Sequence, residues 1–324
     1  SARDTADGPH RSRHEPAPSP QDGMTLLVGV DVGGSKTAAA VDAGDGTVHR
    51  ASGPGAAVRP GKALASALVI AEVARQAMGQ TGALRATVLV VGAAGAGRTL
   101  ERDALRESLR TEELADRVHV TTDIEIALEA AFGEEPGIVV SAGTGSIAVG
   151  RDRGGRLDRI GGYGWQMGDE GSGYAIGRAA LGAVGRAIDG RSPETKLHAC
   201  VLDRTGSRDL DGLVRWAASA GPAEVAALAP HVLAVAAEGD RVAQGIADYA
   251  ARELSQLALT LAERLSVDPP VRVAVTGGLL SGDTPLRDAV LGKIAEEPRL
   301  QPHAEPVDAA LGALRVARRL AAGE

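Results

Sequence analysis

The sequence predicts an α/β fold of two similar lobes facing a central cleft, and three observations predict it. Leu26 to Asp42 (LLVGVDVGGSKTAAAVD) is an apolar run, a Gly-rich polar turn and a second apolar run. Gly137 to Gly150 (GIVVSAGTGSIAVG) repeats that plan. Each copy is followed by a Gly-containing reversal, at Asp45-Gly46 and at Arg153-Gly-Gly155, so the unit reads as an internal duplication.

In the first copy, Leu26, Leu27, Val28 and Val30 suit a buried strand. Gly33-Gly34 is expected to turn the chain where a Cβ would clash. The N–H groups of that turn, the hydroxyls of Ser35 and Thr37 and the Lys36 ammonium would face a polyphosphate lying across it. Asp31, at the end of the first strand, would hold a magnesium ion through water beside that phosphate. The stretch is not a P-loop. Counting from Gly29, Ser35 occupies the place of that motif's Lys, and Thr37 to Val41 continues as strand where a P-loop opens a helix.

A loop, Gly53 to Pro60, leads to a helix from about Lys62 to Met78 whose apolar face reads as Leu64, Leu68, Ala71 and Ala74. Thr87 to Gly92 is a buried strand entering another Gly-rich turn, Gly92 to Gly97. Leu100 to Leu109 is helical and Val118 to Thr121 is a strand. At Thr122-Asp123 the chain passes into a helix, Asp123 to Phe132, with either residue available as N-cap. The second copy runs through Leu157 to Ile160 and GGYGWQMGDEGSG (161–173) into a helix ending near Ile188. Asp209 to Ala218, Ala223 to Ala237 and Asp240 to Leu265 read as helices. Val271 to Val275 is a strand entering Thr276-Gly277-Gly278, and Asp308 to Ala321 is a closing helix.

The 324 residues suffice for two cores, and 44% hydrophobic residues with mean hydropathy of -0.03 describe a soluble protein without a membrane span. A net charge of -7 carries no general nucleic-acid footprint, so an anionic ligand must be met by local dipoles, single basic residues and metal. One cysteine, Cys200, excludes an intrachain disulfide and any site built from several thiolates of one chain; a reduced cytoplasmic setting follows. Residues 1–23 are polar, Pro-containing and aperiodic, and are expected to form a disordered or non-native extension before Met24.

The order of these signals resembles the sugar kinase, hsp70 and actin superfamily of ATPases. GTGS followed by GGYGWQMGDEGSG is most similar to N-acetylglucosamine kinases and the related BadF/BadG group. The resemblance implies an actin-like fold of duplicated ribonuclease H-like domains with a nucleotide and sugar cleft. Residues 24–121 with 307–324 would form one lobe and 122–306 the other. It implies ATP and magnesium as cofactors, an amino sugar as substrate and a homodimer. Asp123 matches the carboxylate that takes the proton from the sugar's primary hydroxyl; the alternative is that it only caps its helix. Gly143, Thr144, Gly145 and Ser146 match the second phosphate turn, and Gly33 to Thr37 the first. Thr144, Gly145, Gly162 and Asp169 match sugar contacts. Glu170 is a further sugar-binding candidate, or answers a helix dipole. Gly277 and Gly278 match the adenosine turn. Tyr163 and Trp165 could wall the sugar pocket, with core filling favoured for Trp165.

One departure bears on substrate. Many N-acetylglucosamine kinases carry an Asn in the loop after the first hairpin, whereas Gly55 to Arg59 here offers no amide. Either Arg59 substitutes, or the substrate is glucosamine, N-acetylmuramic acid or another hexose derivative. The expected activity is an ATP-dependent kinase acting on the 6-hydroxyl of N-acetylglucosamine or glucosamine. The alternative is an activator or regulatory ATPase of the same fold without sugar transfer. Activators that share a cluster between subunits need two cysteines per chain, which Cys200 alone does not supply.

Overall fold

The computed structural model describes residues 25–323, so the expected extension 1–23 lies outside the described residues. Its first sheet begins with three antiparallel strands, β1 (Leu27–Val32), β2 (Lys36–Asp42) and β3 (Val48–Pro54). After α1 (Ala63–Gly79), β4 (Ala86–Ala93) pairs parallel to β1. After α2 (Thr99–Arg110), β5 (Ala115–Thr121) pairs parallel to β4. The strand order is β3-β2-β1-β4-β5.

Helix α3 (Asp123–Phe132) leads to the second sheet. There β6 (Gly137–Ala142), β7 (Ser146–Arg151) and β8 (Leu157–Gly161) are again antiparallel. Six helices follow: α4 (Gly173–Ile188), α5 (Leu197–Thr205), α6 (Leu210–Ser219), α7 (Pro222–Ala226), α8 (Ala229–Ala237) and α9 (Arg241–Arg264). Then β9 (Val271–Thr276) pairs parallel to β6. After α10 (Pro285–Glu296), β10 (Leu300–Pro302) pairs parallel to β9, and α11 (Ala309–Ala322) closes the chain. Read from the antiparallel edge, the order β8-β7-β6-β9-β10 has the topology of the first sheet, as the duplication in the sequence predicts. Among the described residues no helix is long and apolar enough to cross a membrane.

Strand alternation sorts the side chains into three cores. Val28, Val30 and Val32 pack under α1 and α2, while Ile138, Val140 and Ala142 pack under the second lobe's helices. The other faces, with Leu27, Val139, Val149 and Ala274, close on α3 and α11, which lie between the two sheets. Close approach there depends on glycine: a Cβ on Gly29 would lie 2.6 Å from the Ala310 oxygen, and one on Gly312 would collide with the Ile126 carbonyl. Buried Glu129 of α3 accepts from Arg151 of β7 and Arg319 of α11, both at 2.7 Å, tying this layer to the second sheet.

Two readings of helices are corrected. The buried face of α1 is Ala67, Ile70, Ala71, Ala74, Ala77 and Met78, and Leu64 and Leu68 are exposed, because the helix lies close to its sheet through small residues. The single helix expected from Ala223 to Ala237 is two, α7 and α8, the second opening with Pro230 in its first turn, where the missing N–H costs nothing.

Candidate active site

Alternation along β1 places Asp31 on the same face as Leu27 and Gly29, toward α3 and α11, at the strand's C-terminal end. Asp123 is the first residue of α3, and Asp308 caps α11, its Oδ1 accepting from the Leu311 N–H at 3.2 Å. Three carboxylates thus come near one another, Asp308 already paired with Arg50 at 2.8 Å. Burial pushes Asp31 up to about 7, with the charges of Asp123 and Asp308 adding and that of Lys36 opposing. Burial likewise pushes Asp123 up to about 6, against the N–H groups of Ile124 and of Asp123 itself. The cap of α3 is Thr122, whose hydroxyl accepts from the Glu125 N–H at 3.2 Å. The Asp123 carboxyl lies instead against the first-turn N–H groups of Ile124 and of its own residue.

The donor set bears on magnesium. Among the described residues no three His, Cys, Asp or Glu side chains are arranged to hold a metal ion by themselves. Magnesium at nucleotide sites keeps several waters and takes one or two carboxylates beside phosphate oxygens. Asp31, buried at a strand end beside Asp123 with the Lys36 charge opposing only part of the rise, suits that role.

In the first turn the Gly33 N–H donates to the Lys36 carbonyl at 2.9 Å, and Gly34, Ser35 and Lys36 are exposed. The expected reason for the glycines is corrected. A Cβ on Gly34 would meet open space and one on Gly33 only the Lys36 carbonyl, at 3.3 Å. The close approach is at Gly55, where a Cβ would collide with the Gly34 carbonyl. Thr37 is also corrected as a phosphate contact: it is fully buried and its hydroxyl donates to the Pro54 carbonyl at 2.8 Å.

The second turn is latched from both sides. Gly143 N–H donates to the Gly145 carbonyl at 2.9 Å, while Gly173 and Tyr174, at the start of α4, donate to the Gly143 and Thr144 carbonyls. Thr144 is exposed. Ser146 is not: its hydroxyl donates to the Glu170 carbonyl at 2.7 Å and its N–H to Asp169 Oδ1 at 3.2 Å, so it holds the site together and is corrected as a phosphate contact. Asp169 is 8% exposed and stands at φ 65°, a conformation uncommon outside glycine that the surrounding structure must hold. Burial raises its carboxyl above the usual range, eased by the Ser146 N–H and worsened by Glu170.

Gly162, at φ 71°, donates to the Ser146 carbonyl at 3.0 Å. Because β6 pairs with β9, Ser141 opposite Thr276, the Gly277-Gly278 turn lies beside the second turn. A Cβ on Gly277 would collide with the Ala142 carbonyl, while Gly278 faces open space. The second turn, the Gly277-Gly278 turn, Asp169 and Gly162 are thus tied to one another through strand ends and helix starts.

Trp165 is corrected as a core residue. It is 44% exposed, its ring 5.2 Å from that of Tyr174, and Tyr163 and Glu170 are exposed as well. The second core is filled by aliphatic side chains and needs no indole from this loop. Asp308 was not foreseen at the cleft; an Asp before an apolar helix signals a cap, and only the packing of α11 on β1 brings it near Asp31.

A family model described as the BadF/BadG/BcrA/BcrD ATPase family matches residues 28–317. The chain belongs to this family. As a BadF/BadG/BcrA/BcrD ATPase it is 31% identical over 303 residues to the N-acetylmuramic acid/N-acetylglucosamine kinase of Clostridium acetobutylicum, covering 91% of this chain and 99% of that protein. It is 29% identical over 290 residues to the N-acetyl-D-glucosamine kinase of Dictyostelium discoideum, covering 84% of this chain and 90% of that protein. Among solved structures, a candidate N-acetylglucosamine kinase from Chromobacterium violaceum matches with a TM-score of 0.74 at 30% identity, covering 90% of this chain and 98% of that one. The fold is that of the actin-like ATPases, two duplicated lobes about a cleft.

Proposed function

We propose that this BadF/BadG/BcrA/BcrD ATPase is an ATP-dependent amino-sugar kinase that phosphorylates the 6-hydroxyl of N-acetylglucosamine or glucosamine. The observation that carries the reading is Asp123: a carboxylate at the start of α3 beside Asp31, buried and pushed up to about 6, near the working pH of a general base, while Thr122 serves as the N-cap. The kinase relatives support the same reading.

In the reaction, Asp123 accepts the proton of the sugar hydroxyl as its oxygen bonds to the γ-phosphorus and the bond from that phosphorus to the β,γ-bridging oxygen breaks, leaving ADP. Asp169, Gly162 and Thr144 hold the sugar, the carboxylate accepting from two hydroxyls. The exposed groups of the first turn, Gly34, Ser35 and Lys36, face the phosphates, and Gly277-Gly278 faces the adenosine. Magnesium, held by Asp31 through water, would neutralise phosphate charge. The halves 24–121 with 307–324 and 122–306 would close as lobes, excluding water and limiting wasteful hydrolysis.

Phosphorus NMR of the protein with magnesium ATP and each sugar in turn tests this reading. A new phosphomonoester signal appearing with ADP, and only with sugar, is the expected result. ADP and inorganic phosphate alone would refute transfer.

A further inference from the structure

Arg159 carries a charge that nothing in the proposed reaction uses. It lies on β8 opposite Val149 of β7, so register puts it on the inter-sheet face, away from Asp158, whose carboxylate pairs with Arg264 at 2.8 Å. The guanidinium carbon is 5.7 Å from the ring centre of Tyr163. Its Nη1 is 3.5 Å from where a Cβ on Gly162 would stand. Gly162 is bonded to Ser146, and Ser146 to Asp169, so this cation borders the proposed sugar site through two hydrogen bonds. The side chain is exposed and, among the described residues, its guanidinium makes no hydrogen bond or ion pair.

The surroundings define what it could hold. Tyr163 and Trp165 expose 60% and 44% of their surface beside Asp169, and flat aromatic faces next to a hydroxyl-accepting carboxylate suit a pyranose ring. The chain carries a net charge of -7, and Asp169 and Glu170 add negative charge at this spot, so an anionic acceptor would need a local cation. A guanidinium 5.7 Å from a tyrosine ring offers a planar pair of donors matched to a carboxylate.

We propose that Arg159 reads a carboxylate on the acceptor, so that the preferred substrates are amino sugars carrying an acidic ether substituent, with N-acetylmuramic acid as the representative. This rests on the kinase reading and extends its acceptor to an acidic ether of N-acetylglucosamine: the reacting hydroxyl stays with Asp123 while the acidic substituent lies toward β8.

The test compares N-acetylmuramic acid with N-acetylglucosamine in the wild type, Arg159→Met and Arg159→Lys. The ratio of kcat/KM for the acid to that for the neutral sugar is expected to fall about tenfold or more in Arg159→Met, as for loss of a charge-assisted hydrogen bond, and to recover in part in Arg159→Lys. An unchanged ratio, or a wild type that turns over the neutral sugar but not the acid, would overturn the inference. Binding is followed separately through Trp165 fluorescence in a Trp216→Phe background, Trp216 being the second of two tryptophans and packed against the second core. If neither sugar is phosphorylated, the kinase reading fails alone when the acid still binds in an Arg159-dependent manner. If the acid does not bind, Arg159 has no such role.

Discussion

The carboxylate of Asp169 occupies the space that a side chain at Gly145 would fill: a Cβ there would lie 2.7 Å from Asp169 Oδ2. The second turn and the GDEGSG segment are thus fitted to each other, and the strained φ of Asp169 is held by that fit. Gly145→Ala should displace the carboxylate while leaving the strands paired. Because a misplacement of about 1 Å can cost about 100-fold, kcat/KM for sugar should drop by that order with little change in thermal stability. Steady-state kinetics beside a thermal melt check it, and wild-type kcat/KM would contradict it.

Asp123 acts as a base only when ionised. With its carboxyl pushed up to about 6, kcat should rise with pH through about 6 and level off above it, a single ionisation on the acid side. A kcat profile between pH 5 and pH 8, at saturating ATP and sugar, reads this directly.

Asp31 gives a stability signature in the absence of nucleotide. Its carboxyl, pushed up to about 7 in the fold, titrates in the ordinary carboxylate range near 4 when unfolded, so the stabilising effect of its neutral form is fully present below about 4 and is lost as pH rises through about 7. Asp31→Asn stays neutral throughout. The variant should therefore melt with the wild type near pH 4 and above it at pH 8, by an amount on the order of 4 kcal/mol. Thermal melts across that range decide it.

Glu129 joins α3 to Arg151 and Arg319 in a region where it and Arg151 are each 10% exposed. Glu129→Ala leaves Arg151 buried without its carboxylate and should destabilise the fold by about 3 kcal/mol. Urea unfolding measures this, and a shift below about 1 kcal/mol would mean that the Gly133 carbonyl, 2.6 Å from Arg151 Nη1, suffices.

Much of this architecture was legible in the residues because strand, glycine turn and strand are local signals. The repeat of Leu26 to Asp42 at Gly137 to Gly150 gave both sheets, and a carboxylate opening the helix after β5 marked Asp123. Burial was not legible. Whether Thr37 and Ser146 point to solvent depends on the Pro54 and Glu170 carbonyls, set by strand pairing and by a loop 24 residues away. The same holds for Leu64 and Leu68, aliphatic yet exposed, and for Trp165, a large ring in a chain with few aromatics and nonetheless outside the core. Asp308 and Arg159 gave no sign at all, since one reads as a cap and the other as a surface charge until the sheets are assembled.

The most direct test of the central claim is sugar-stimulated ADP release from magnesium ATP, measured for the wild type and for Asp123→Asn alongside nucleotide binding. The account expects an amino sugar to stimulate release in the wild type, and Asp123→Asn to lower kcat by about 100-fold or more while ATP still binds. An Asp123→Asn enzyme that keeps its sugar-stimulated rate would contradict it.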